Sequence, residues 1–332
     1  MGDDHRISAT AVVLEILGVS PSDFSADIPL SSSLAKRPGP NFLQHAELAH
    51  ESLPDWSVEP LVEICDGPGI PLIILPGGNG SIALFFGLRQ NFHGSVWAIQ
   101  ITETTPLESF AGIVAFWLDQ IRGKRPHGPY RFAAYSASSL FGMALTKLME
   151  DAGEEVMQLT FIDHCPAFWT REQSEALLRE KTVAEFLVLS DESVLDMLRN
   201  DPSIGAEPLA RYEAALQGLP EASSTNRHEV KITRAVMTRM FEFLQQFYPA
   251  DRPRSYAAFI EPFEAWLFSV KAPLAVVVAE HGITHSAPGG AWPNLGADRL
   301  GKPAQIHYID GVGHYGLFRD EKVARILERE HN

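Results

Sequence analysis

The chain has 332 residues, long enough for one large α/β core with an insertion, and its 45% apolar and 21% charged content is a globular balance. A formal charge of −15 repels phosphates, which argues against nucleic acid or an anionic membrane surface as a partner. No apolar run reaches the length of a membrane span, the acidic first residues lack the apolar core of a secretory signal, and Cys65 and Cys165 lack metal-ligand spacing, so a cytoplasmic protein without a metal is expected.

Residues 1–35 form a distinct piece. Ile7 to Gly18 has helical apolar spacing through Ala11, Val12, Leu14, Ile16 and Leu17, with Gly18 as its C-cap, and a loop from Val19 to Ser32 follows. Pro38 and Pro40 forbid a continuing helix, and 36–57, with Pro54, reads as a linker.

From Val58 the pattern alternates between strand and helix. Val58 to Ile64 and Pro71 to Pro76 are strand-like, the second almost wholly apolar as a central strand requires. Gly77-Gly-Asn-Gly80 is a permissive turn into an expected helix from Ile82 to about Phe92. Ser95 to Ile101 supplies another strand, and Phe110, Ile113, Val114, Trp117, Leu118 and Ile121 share one face of the next helix. A strand from Tyr130 then runs to Ser136, and the following helix carries Leu140, Ala144, Leu145 and Leu148 inward, ending near Gly153. Val156 to Asp163 is the next strand. This succession predicts a mostly parallel sheet with helices on both faces.

Over 168–270 the periodicity turns helical, which marks an insertion. Its clearest helices cover Val183 to Leu189, Val194 to Leu198 and Val230 to Phe247, while Ala206-Glu-Pro208 and Pro220 to Thr225 read as loops. Phe241, Phe247, Phe259 and Trp266 either pack these helices or face a bound chain, packing being the simpler assignment. Strand patterns return at Pro273 to Ala279 and Gln305 to Ile309, separated by a Gly- and Pro-rich loop over Gly282 to Gly296, and a helix from about Asp320 closes the sequence.

Ser136 stands where a strand gives way to a helix, in Ala134-Tyr-Ser-Ala-Ser138. A serine on so sharp a turn projects its hydroxyl from the carboxyl edge of the sheet, and the usual signature is G-x-S-x-G. Alanine and serine replace both glycines here, and a plain helix N-cap reads much the same. A serine hydroxyl needs a base to take its proton, and that base needs an acid to fix its tautomer. His314, in the glycine-flanked Gly311-Val-Gly-His-Tyr-Gly316 beyond the last strand, is the candidate base. Asp163, at the end of the strand after the Ser136 helix, is the candidate acid, and Ser, Asp, His is the chain order of α/β-hydrolases. Glu280, one strand later, is the rival acid. His164, His281 and His285 lie near the same edge without metal-ligand spacing, and Cys165 reads as inert packing.

Leu75-Pro-Gly-Gly-Asn-Gly80 after an apolar strand, Gly128-Pro-Tyr-Arg131 before Ser136, Phe161-Ile-Asp163, the helical insertion and Gly313-His314 together resemble a type I thioesterase domain, the unit that ends fungal and bacterial polyketide and nonribosomal peptide synthases. The resemblance covers 58–332 and implies the α/β-hydrolase fold, with 168–270 as a helical lid. It implies Ser136, Asp163 and His314 as catalytic residues, since that family places its acid after the strand following the nucleophile. The oxyanion hole is expected from the N–H groups of Ala137 and Gly78, with Gly77 as the alternative. An acyl or peptidyl carrier is the implied partner, presenting the acyl chain on its phosphopantetheine arm, and no bound cofactor is implied. Residues 1–35 resemble a truncated carrier domain whose Asp-Ser-Leu motif is lost. A carboxylesterase acting on free esters and a catalytically silent synthase-binding partner are the competing readings.

Overall fold

The computed structural model describes residues 58–220, 222–283 and 293–329. The carrier-like segment 1–35, the linker 36–57, His285 and much of the loop from Gly282 to Gly296 lie outside the described residues.

Seven strands form one sheet in the order β1-β3-β2-β4-β5-β6-β7: β1 Leu61–Cys65, β2 Leu72–Leu75, β3 Val96–Ile99, β4 Tyr130–Tyr135, β5 Val156–Ile162, β6 Leu274–His281 and β7 Ala304–Gly313. All neighbours run parallel except β1, which pairs antiparallel with β3. The inner strands read as largely apolar runs because both faces are covered, with Arg131, Gln158 and Thr160 as buried polar exceptions. Alternate residues serve opposite cores: Leu75, Phe132, Ala134 and Phe161 enter one, whereas Ile74, Ala133, Tyr135 and Ile162 enter the other.

Eight α-helices are described: α1 Phe110–Lys124, α2 Ser139–Asp151, α3 Glu172–Glu180, α4 Val183–Asn200, α5 Ala206–Leu216, α6 Ser224–Gln245, α7 Tyr256–Leu267 and α8 Glu321–Glu328. The larger core lies between the sheet, α1, α2 and the inserted helices α3, α4, α6 and α7, the smaller one holds α8 and the turns at 83–90 and 317–319, and α5 packs in a separate small cluster around Ala215, Ala222 and Val230. Helix α2 is buried almost all round, not on one stripe as its spacing suggested. It is wedged between the sheet and neighbouring helices.

Several local expectations are corrected. The segment after the glycine turn is a 3₁₀ helix, Ala83–Gln90, rather than an α-helix. Gly87 lies within it, and a Cβ there would meet the Phe318 carbonyl oxygen at 2.7 Å, so close packing overrides helical spacing. Ala206-Glu-Pro208 is helical, because a proline in the first turn of α5 removes an N–H that would have no intrahelical partner. Helix α6 begins at Ser224, inside the expected 220–225 loop, and the Ser223 hydroxyl accepts from Asn226 N–H. The two pieces 183–189 and 194–198 are one helix, since the polar Ser190-Asp-Glu-Ser193 is held by a tertiary contact: Asp191 Oδ2 accepts from Arg234 Nη2 at 2.7 Å.

Candidate active site

Strand register brings the site together. Tyr135 at the end of β4 pairs with Ile162 at the end of β5, so Ser136 and Asp163 are the next residues off neighbouring strands. Both turn sharply into the left-handed region, with φ of 56° for Ser136 and 50° for Asp163. This costs a residue with a side chain about 1–3 kcal/mol, so tertiary contacts must hold both turns. Asp163 thus lies just past its strand rather than as its last residue. On the far side, His281 of β6 pairs with Gly313 of β7, which delivers His314 to the same edge.

The side chains form one hydrogen-bonded chain. His314 Nδ1 lies 2.6 Å from Asp163 Oδ2, and His314 Nε2 lies 3.0 Å from Ser136 Oγ. A carboxylate can only accept, so Nδ1 carries the proton and Nε2 is free to accept from the serine hydroxyl. Asp163 is fully buried, and its oxygens also accept from the N–H groups of Ala279 at 3.0 Å and Ile283 at 3.1 Å. Three donors satisfy a charge that burial would otherwise penalise heavily. The rival Glu280 is half exposed, and its Oε2 accepts from Gly311 N–H at 2.6 Å, away from His314.

Several supporting residues escaped the sequence reading. A Cβ on Gly282 would sit 2.1 Å from Asp163 Oδ2, so the carboxylate occupies the space that any side chain there would fill. The Tyr135 ring stacks on His314 at 4.7 Å, and its hydroxyl donates to the His314 carbonyl at 3.0 Å. Burial pushes that phenol well above its ordinary value, keeping it a donor. Beyond α4, the Asp201 carboxylate accepts from Tyr315 N–H at 2.7 Å, and a Cβ on Gly313 would collide with it at 2.2 Å. The inserted helices therefore clasp the loop that carries His314. Sequence signals existed for the glycines, but which atoms approach them is a long-range fact.

His164 is hydrogen-bonded to Ser139 Oγ at 2.6 Å, and burial, with His314 nearby, pushes it down to about 3, so it stays neutral. Cys165 is fully buried and pushed up to about 12, again by burial, which makes it an unreactive thiol. Gly78 approaches Ala137: a Cβ built on Gly78 would lie 3.6 Å from the Ala137 Cβ. At Gly77 a Cβ would press on the Tyr135 ring at 3.1 Å, so that residue faces the packed side of the turn. The Ser138 hydroxyl donates to the Pro76 carbonyl and ties this turn to the Ser136 turn.

Ser136 and His314 line a cavity of about 720 Å³ whose walls include Phe168, Trp169 and Phe186 from the start of the insertion and Met237 and Met240 from α6. Phe241, Phe247, Phe259 and Trp266 are absent from that wall and pack in the core. Among the described residues no group of His, Cys, Asp and Glu is placed to hold a metal, and no helix is long and apolar enough to cross a membrane.

The chain is similar to known proteins in sequence and in fold. The Thioesterase domain family model matches residues 70–329. The highly reducing polyketide synthase stpks1 of Strobilurus tenacellus is 31% identical over 275 residues, which is 79% of this chain and 10% of that protein. The microperfuranone synthase of Emericella nidulans is 32% identical over 184 residues, 52% of this chain and 19% of that protein. The chain thus spans a fifth or less of the length of these relatives. Among solved structures, a four domain nonribosomal peptide synthetase bound to AMP and glycine aligns with a TM-score of 0.53 at 16% identity, over 81% of this chain and 20% of that one, a likeness of fold.

Proposed function

This chain belongs to the thioesterase family, and from that premise we propose that it releases an acyl, polyketide or peptide chain from the phosphopantetheine thioester of a carrier protein or domain, through an acyl-enzyme on Ser136. The observation that carries the proposal is the hydrogen-bonded run from Ser136 through His314 to Asp163 at the floor of a helix-covered apolar cavity.

In this mechanism Ser136 Oγ attacks the thioester carbonyl as His314 Nε2 takes its proton. Asp163 holds the ring and stabilises the imidazolium. The N–H groups of Ala137 and Gly78 receive the oxyanion, and one such donor is typically worth about 10²–10³ in rate. His314 then gives the proton to the departing pantetheine thiolate, and water or a nucleophile within the chain resolves the acyl-enzyme. The inserted helices act as the lid, limiting water around an apolar chain.

Incubation with an acylated carrier, followed by intact mass of the protein, tests this reading. An adduct that is present in wild type and absent from Ser136→Ala supports it. Absence of any adduct, together with kcat/KM favouring p-nitrophenyl esters over N-acetylcysteamine thioesters, would point to a carboxylesterase. Failure of Ser136 to react even with a fluorophosphonate would leave a silent binding partner.

A further inference from the structure

The cavity over Ser136 is apolar along most of its wall, yet it contains a carboxyl that the proposed mechanism does not use. Glu229, on α6, lines it, and among the described residues its carboxyl has no hydrogen-bond or ion-pair partner. Burial alone pushes this group up to about 7. Its place relative to the reacting atoms is fixed by Thr233. That residue lies four positions on, on the same face of α6, and its Cγ2 is 3.6 Å from where a Cβ on Gly78 would stand. Glu229 therefore lies about one helical turn, ~6 Å along the helix axis, from the residue that abuts the turn expected to receive the oxyanion. It is also close enough to the partly buried Tyr315, the neighbour of His314, for its charge to raise that phenol further, after desolvation and Asp201.

An apolar chain filling this cavity displaces the water on which the carboxyl otherwise depends. Unless the chain brings a donor of its own, a buried acceptor is left unpaired. Arg89 and Arg319 line the same cavity and oppose a further cation, which disfavours an ammonium as that donor. A hydroxyl carries no charge, and a carboxyl accepts from it whether ionised or protonated. We propose that Glu229 is a specificity-determining residue that accepts a hydrogen bond from a hydroxyl on the acyl chain, a few carbons from the thioester carbonyl. This rests on the thioesterase reading of Ser136.

The test compares N-acetylcysteamine thioesters of equal chain length, unsubstituted, hydroxylated and aminated at one position within the first several carbons, on wild type, Glu229→Leu and the isosteric Glu229→Gln. Wild type should favour the best hydroxyacyl thioester over its unsubstituted match by about tenfold or more in kcat/KM. Glu229→Leu should lose that preference, the ratio of kcat/KM for the hydroxyacyl to that for the unsubstituted thioester falling to about one, and Glu229→Gln should keep part of it. No preference in wild type, a preference for the amine, or an equal loss on all substrates in both variants would overturn the inference and leave the thioesterase reading intact. If no thioester reacts at all, the thioesterase reading fails and the inference with it.

Discussion

A Cβ built on Gly142 would lie 2.6 Å from the Cβ of Ala134, so the helix after Ser136 gives way at the point where the strand before it does not. The usual elbow keeps the strand side small with glycine. Here the strand carries alanine and the space is recovered one turn into α2. Ser138, in place of the second glycine, uses its hydroxyl on the Pro76 carbonyl. The departures of Ala134-Tyr-Ser-Ala-Ser138 from G-x-S-x-G are thus both absorbed by particular contacts.

Gly142→Ala should therefore destabilise the protein by about 1–3 kcal/mol through overpacking. Adding Ala134→Gly should restore most of that loss, because the removed methyl is the atom in the way. Denaturant midpoints of the two single variants and the double variant give the coupling. Strict additivity would mean that the two positions do not compete for the same space.

At Ser136 the left-handed backbone separates catalysis from stability. Ser136→Gly relieves a conformation that suits glycine, so it should be at least as stable as wild type, by up to about 1 kcal/mol, and should lose acyl transfer completely. Melting temperature and acyl-adduct mass read the two effects. A cooperative fold that still acylates would exclude Ser136 as the nucleophile.

Asp163→Asn should lower kcat by about 10⁴-fold, by analogy with triads in which the amide stabilises the wrong histidine tautomer. Glu280→Gln should be mild, since that side chain serves the Gly311 turn. Gly282→Ala is the sharper probe. Its methyl would fall on the Asp163 carboxylate, so activity should drop far more than melting temperature does. A crippled Glu280→Gln beside a healthy Asp163→Asn would reassign the acid.

Asp201→Ala should cost about tenfold or more in kcat with little change in KM. It leaves the Tyr315 N–H without its acceptor and loosens the backbone on either side of His314. Steady-state kinetics on a small thioester checks this, and a change confined to KM would show that Asp201 acts on substrate binding alone.

How much of this was legible in the sequence follows from the range of the interactions. Apolar runs marked the strands because parallel strands buried on both faces need them throughout, and Ser136, Asp163 and His314 fell at strand ends, where periodicity stops. The continuity of α4 was hidden because it depends on Arg234, 43 residues away from Asp191. The roles of Gly282, Gly313 and Gly142 were hidden for the same reason: a glycine announces a close approach without naming the atom that approaches. The boundary of α5 was misread because Pro208 signals a turn equally well from a loop and from the first turn of a helix.

The remaining prediction concerns pH. Burial raises Glu229 from 4.5 to about 7, so between those values the native protein holds a proton that the unfolded chain has released. For an acid raised in this way the sign is fixed: its contribution is full below about 4.5, is lost as pH rises towards 7, and is level above that. The loss is at most about 3 kcal/mol, and smaller to the extent that water in the cavity solvates the carboxylate. Glu229→Gln abolishes the titration without changing the shape of the side chain. Its stability relative to wild type should therefore increase between pH 4.5 and pH 8, by about 1–3 kcal/mol in urea unfolding. The same offset at both pH values would show that Glu229 titrates normally and that the cavity wall around it is open to water.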